Sequence, residues 1–165
     1  MSEYTTVFGS LSNFRKGSIE IITGSPKHYV FSNVFEVASK AKPYEKVIVG
    51  KNLEFVIETL RAEGTSPWFA CAHDEFAVCM DGAVEVHYLK LDDPRAVIPQ
   101  GKEGTVRADE PKGRKMGYVK LKRGHQALLP ADCAYQFRAG SPGVLLLQTI
   151  KGDLSIEKWR EICLQ

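Results

Sequence analysis

Cys71, His73 and Glu75 stand at every second position of the stretch CAHDEF. Alternate side chains of a strand share a face, so a thiol, an imidazole and a carboxylate would meet on one surface. All three types bind metals. An oxygen-activating mononuclear iron is usually fixed by two imidazoles and a carboxylate, with positions left open for oxygen and substrate. One Cys, one His and one Glu form a more anionic set, which needs a thiolate and binds metal in a pH-dependent way. The adjacent carboxylates Asp74 and Glu75 would face opposite sides of a strand, so they cannot work as an acid–base pair. The sequence holds no G-x-S-x-G elbow and no phosphate-binding loop.

The elements that must position these residues read as short strands separated by turns, the pattern of an all-β sandwich or barrel. Residues 1–27 are rich in Gly, Ser and Thr and read as an arm with a short strand at Ser18–Ile22. VFEVASKAKPYE is compatible with a helix before Pro43, and KVIVG (46–50) reads as a strand. LEFVIETLRAEG (53–64) is ambiguous: Leu53, Val56, Ile57 and Leu60 fit a helix, while Leu53, Phe55 and Ile57 fit a strand. WFACAHDEFAVCMDG reads as two short strands or one bent one, and AVEVHYLKL (83–91) as a strand with Val84, Val86 and Tyr88 on one face. Asp81–Gly82 between apolar runs predicts a hairpin. Residues 92–115, rich in Pro, Gly and charge, form a long connection of the kind that usually serves function or an interface. AYQFRA and GVLLLQTIKG read as separate strands. In the tail, Ser155 suits a helix N-cap before an apolar stripe of Ile156, Trp159, Ile162 and Cys163. The expected organisation is one domain, 1–165: an arm and strands over 1–45, a barrel over 46–150 and a terminal helix over 155–163.

The 165 residues can bury a sizeable core, and 44% hydrophobic with 25% charged residues is an ordinary globular composition. A net charge of +2 with scattered Lys and Arg does not point to nucleic acid. The four cysteines form no C-x-x-C pair, which excludes zinc-ribbon and thioredoxin-type readings. The start MSEYTTVFGS lacks the charged and apolar regions of a signal peptide, and no apolar run reaches the roughly 18 residues of a membrane span. The expectation is a cytoplasmic protein with reduced thiols.

Two spacings carry a family resemblance. Glu75 to Gly82 is E-x6-G, and Gly124 to Pro130 is G-x5-P. They resemble the two halves of the cupin signature, G-x5-H-x-H-x3,4-E-x6-G and G-x5-P-x-G-x2-H-x3-N. The resemblance implies a double-stranded β-helix, a jelly-roll barrel whose funnel holds a metal on three His and one Glu. Anchored on Glu75, the two His positions fall on Phe69 and Cys71, or on Trp68 and Ala70 with the longer spacer. Anchored on Pro130, the motif Gly, His and Asn fall on Asp132, Tyr135 and Ala139. Only Glu75 keeps its residue type, so Cys71, Glu75 and Tyr135 mark vestigial metal-site positions. In a funnel filled by side chains, Phe69, Cys71, Ala77, Cys79 and Tyr135 would be core, and Glu75 would need a hydrogen-bond partner.

The stretches FGSLSNFRKGSIEII, YVFSNVFEVA, PYEKVIVGKNLEFVIE, LRAEGTSPWFACAHDEFAVCMDG and KWREICLQ look like the small (α) subunit of two-component hydroquinone 1,2-dioxygenases. The resemblance implies a bacterial ring-cleaving enzyme of 4-nitrophenol and 4-hydroxyacetophenone breakdown. Its large (β), cupin-like subunit carries Fe(II), and the assembly is a heterotetramer with two copies of each subunit. The reaction it implies opens hydroquinone to 4-hydroxymuconic semialdehyde. This chain would then have no catalytic residue or metal of its own and be inactive alone. The partner would hold most of the diphenol substrate. Trp68, His73, Arg95, Arg107 and Arg114 are the candidate contacts to the partner or to the mouth of its active site. Two other readings compete: a free-standing homodimeric cupin with an unusual Cys71/His73/Glu75/Tyr135 metal site, and a metal-free small-molecule-binding cupin.

Overall fold

The computed structural model describes residues 9–14 and 33–158. Helix α1 (Val34–Lys40) begins where the Asn33 side chain accepts hydrogen bonds from the Phe35 and Glu36 amides, and it ends before Pro43. Strand β1 (Lys46–Asn52) turns through Leu53 into β2 (Phe55–Thr65). The ambiguous segment is thus a strand, with Val56, Glu58, Leu60 and Ala62 pointing inward. Its mixed periodicity arises because Phe55 and Ile57 make the outer face apolar as well. Then follow β3 (Trp68–Ala70), β4 (Glu75–Asp81), β5 (Ala83–Leu91), a short helix α2 (Pro94–Val97), β6 (Val106–Ala108), β7 (Gly113–Lys122), β8 (Gln126–Leu129), β9 (Cys133–Ile150) and β10 (Ser155–Ile156).

Strand β9 is the spine. Its second half lies between β2 and β4, and its first half between β3 and β5. Strands β1 and β10 extend the first sheet beyond β2, and β8 extends it beyond β4. Strand β6 extends the other sheet beyond β3, and β7 extends it beyond β5. Two sheets that share one long bent strand and close over a common core make the all-β jelly roll of a cupin. Leu60, Phe69, Ala77, Cys79, Val86, Leu129, Tyr135, Phe137 and Leu147 fill it.

Four expectations change. Asp81–Gly82 is a corner and not a hairpin: β4 pairs with β8 and β9, β5 with β7 and β9. Gly82 has the positive φ (+74°) that the dipeptide signals, but a local turn does not say which strands pair. AYQFRA and GVLLLQTIKG belong to one strand, with Gly140–Gly143 at the bend. The 92–115 connection carries α2, β6 and the start of β7. Ser155 does not cap a helix; Ser155–Ile156 pairs in parallel with Lys46 and Val47. The tail from Trp159, the proposed strand Ser18–Ile22 and His28 lie outside the described residues. No helix among the described residues is long and apolar enough to cross a membrane.

Candidate functional site

Residues 71–74 are not a strand but the link between β3 and β4. The link still gathers the three candidate groups: one ligand atom each of Cys71, His73 and Glu75 lies within 4.8 Å of the others. Cys71 and Glu75 are buried, and His73 is half-buried. Asp74 turns outward and accepts the Ala131 amide at 2.8 Å.

Each of the three groups is committed within the chain. The Ile150 amide donates to His73 Nε2 (3.3 Å), so the ring proton belongs on Nδ1, which lies 3.1 Å from Cys71 Sγ. Burial, helped by the charge of Glu75, pushes the Cys71 thiol up to about 12. Glu75 accepts the Thr105 hydroxyl on Oε1 (2.5 Å) and the Tyr135 hydroxyl on Oε2 (2.6 Å). Burial and then the Glu75 charge raise the Tyr135 phenol well above its ordinary value, so it donates as a neutral hydroxyl. A metal here would need a thiolate, a free imidazole lone pair and a carboxylate lone pair. The arrangement offers a thiol, an imidazole nitrogen already hydrogen-bonded and a carboxylate bridged by two hydroxyls. The residues do not fit an iron ion.

A second buried group completes the network. Lys46 Nζ donates to Glu58 Oε2 (3.3 Å) and to Thr105 Oγ1 (3.1 Å), and lies 5.0 Å from the centre of the Phe69 ring. Glu58 also accepts the Ser155 hydroxyl at 2.5 Å. Five elements are thereby joined to the strip carrying Glu75: β1, β2, β9, β10 and the loop before β6. Sequence reasoning missed Lys46, Glu58 and Thr105.

Gly104 sets Thr105 in place. Its φ is +73°, and a Cβ there would come within 2.6 Å of both Gly152 Cα and Ile150 O. Gly104→Ala is expected to cost at least about 1–3 kcal/mol, seen as a lower Tm. An unchanged Tm would mean that the loop is not pinned. Cys71 offers a second check. Its folded value lies above its ordinary value of 9.0, so its contribution is complete below about pH 9 and is lost as pH rises towards about 12. Native Cys71 should therefore resist alkylation at pH 8 and react only on unfolding, as peptide mass mapping would show.

Phe69, Cys71, Ala77, Cys79 and Tyr135 are all core, as expected for a filled funnel. No family model matches the sequence, and no curated protein matches it. Solved structures do. The chain is 63% identical to a chain of hydroquinone 1,2-dioxygenase PnpCD, solved with Cd2+ and 4-hydroxybenzonitrile, covering 99% of this chain and 98% of that one (TM-score 0.89). It is 55% identical to a chain of the hydroquinone 1,2-dioxygenase from Sphingomonas sp. TTNP3, solved with 4-hydroxybenzoate, over 99% of both (TM-score 0.92).

The chain belongs to the hydroquinone 1,2-dioxygenase family. It has the jelly-roll fold described above and is a subunit of a metal-using, ring-cleaving dioxygenase. PnpCD solved with Fe3+ also matches through a different chain, 11% identical, covering 84% of this chain but only 37% of that one (TM-score 0.59). This second likeness is one of fold alone. It means that PnpCD also holds a longer chain, about a third of which shares this fold, beside the one that this dioxygenase subunit matches.

The surface candidates on this dioxygenase subunit are spread out. Trp68 is half-buried against Ala70, Leu89, Leu91 and Ile98. Arg107 lies in register with Phe69 on the neighbouring strand and pairs with Asp109 at 3.2 Å. Arg95 is exposed on α2, and Arg114 is exposed on β7 opposite Lys90. His87 bonds Glu85 and stacks on Tyr118, and His125 accepts the Lys122 amide in a turn. A feature the sequence reading missed lies on the outer face of the first sheet. Ile57, Gln148, Phe76 and Leu128 form a cross-strand row over β2, β9, β4 and β8. Phe55, Ile57, Phe76 and Leu128 are exposed there, and Val78 and Leu146 line the same groove. The signal was present in LEFVIETL, where both strand faces are apolar.

Proposed function

We propose that this chain is the non-catalytic small (α) subunit of an Fe(II)-dependent hydroquinone 1,2-dioxygenase, and that the iron and most substrate contacts belong to a larger, cupin-like partner. In this reading the assembly holds two copies of each subunit and opens hydroquinone to 4-hydroxymuconic semialdehyde. The full-length identity of 63% to a PnpCD chain carries the reading. The committed hydrogen bonds of Cys71, His73 and Glu75 support it, because they make that cluster a poor fit for iron. They also disfavour a free-standing homodimeric cupin enzyme built on a Cys71/His73/Glu75/Tyr135 metal site. Buried free Cys71, Cys79 and Cys133 support a reducing, cytoplasmic setting.

The row Ile57–Gln148–Phe76–Leu128 is the surface that best supports a protein partner. Contiguous exposed apolar area of this kind is what a protein interface covers, and a partner of like fold can meet it sheet on sheet. Trp68, Arg95, Arg107 and Arg114, on the other sheet and its connection, and His73 before β4 remain proposed contacts to the partner or to the mouth of its active site. The test is hydroquinone-dependent oxygen uptake by this chain alone and after co-expression with its larger partner. Uptake only with the partner is expected. Turnover by this chain alone would overturn the reading.

A further inference from the structure

The Lys46 ammonium has no counterpart in the cupin signature, yet it sits where the signature's groups converge. It reaches the Glu75 carboxylate through one hydroxyl: Lys46 Nζ to Thr105 Oγ1 is 3.1 Å, and Thr105 Oγ1 to Glu75 Oε1 is 2.5 Å. Its charge also acts on the Cys71 thiol, in the lowering direction and against the larger upward effects of burial and Glu75. It is 2% exposed, and its ion-pair partner Glu58 is fully buried. A charge buried this deeply is retained only if paired and hydrogen-bonded. Lys46 meets that condition on three sides, through Glu58, Thr105 and the face of Phe69. A divalent ion among Cys71, His73 and Glu75 would bring a second cation beside it, into a low-dielectric space where like charges repel strongly.

We infer that Lys46 is the built-in cation of this barrel: its ammonium supplies part of the positive charge that a metal would otherwise bring to the buried carboxylates Glu58 and Glu75, and so bars a divalent ion from the Cys71–His73–Glu75 cluster. The inference extends the proposal that the iron lies in the partner, and it can fail separately from it. Removing the ammonium leaves the cluster with its donors and an uncompensated negative charge. The cluster then favours a divalent cation that binds thiolate, imidazole and carboxylate strongly enough to displace the Ile150 amide from His73 and the Tyr135 hydroxyl from Glu75, such as Co(II) or Zn(II).

The test is titration of the full-length chain with Co(II), read by thiolate-to-cobalt absorbance and by metal analysis after gel filtration. Wild type should take up none. Lys46→Met should take up about one equivalent with a thiolate band, lose it on adding Cys71→Ala, and rise in Tm with metal, because an ion that binds only the folded state stabilises it. The double variant K46M/E58L removes the orphaned Glu58 as well, keeps the three donors and should behave in the same way if K46M alone folds poorly. Folded variants that take up no cobalt would overturn the inference while leaving the iron in the partner. Stoichiometric metal on wild type, lost with Glu75→Gln, would overturn both.

Discussion

Lys46→Met is expected to lower the unfolding free energy of the metal-free chain by about 3–5 kcal/mol, the usual cost of breaking a buried ion pair from one side. Urea titration at neutral pH measures it. The effect is large because one ammonium serves two carboxylates: Glu58 directly, and Glu75 through Thr105. Replacing both charges of the direct pair, as in K46M/E58L, should recover part of the loss, since an apolar pair of similar volume often substitutes for a buried ion pair at little cost. Recovery in the double variant would give a coupling energy of the size expected for residues in contact. Tyr135→Phe removes one charged hydrogen bond from Glu75, so a smaller loss of about 1.5–3 kcal/mol is expected. A cost below about 1 kcal/mol for Lys46→Met would mean that the network is not under the tension its burial implies.

Phe76→Asp should weaken association with the larger subunit by roughly 30- to 1,000-fold, about 2–4 kcal/mol. Phe76 is central to the cross-strand row and 46% exposed, so a carboxylate there should change the chain's own stability by no more than about 0.5 kcal/mol. The partner, in contrast, would have to desolvate a charge. Tyr118→Asp is the control: Tyr118 is exposed on β7, away from the row, and its substitution should leave the affinity unchanged. Gel filtration and calorimetry of the mixed subunits would separate the two. Equal affinities for wild type and Phe76→Asp would move the interface elsewhere on the barrel.

Much of the fold is legible in the sequence, because alternation and turn residues report local geometry directly. KVIVG, AVEVHYLKL and the capped segment after Asn33 read correctly for that reason. Pairing is less legible. Asp81–Gly82 signals a positive φ, but the same turn can close a hairpin or round a corner, and here Gly143 of β9 packs against it. At the site, the spacing singled out Cys71, Glu75 and Tyr135; all three are buried, Tyr135 donates to Glu75, and Cys71 lies against His73. It could not find Lys46 and Thr105, which meet across 59 residues, or Lys46 and Glu58, which meet across 12. Charged residues read by default as solvated. The usable hint was parity: Glu58 shares its face of β2 with Val56 and Leu60, an inward position that a carboxylate takes only with a partner.

The most direct measurement is iron analysis of the two subunits, each made alone and then in the purified complex, alongside hydroquinone ring cleavage. Iron with the larger subunit, none above background on this chain, and unchanged iron content and turnover in a complex carrying Cys71→Ala are the predicted results. Stoichiometric iron on this chain that Cys71→Ala removes, with activity lost alongside it, would contradict them.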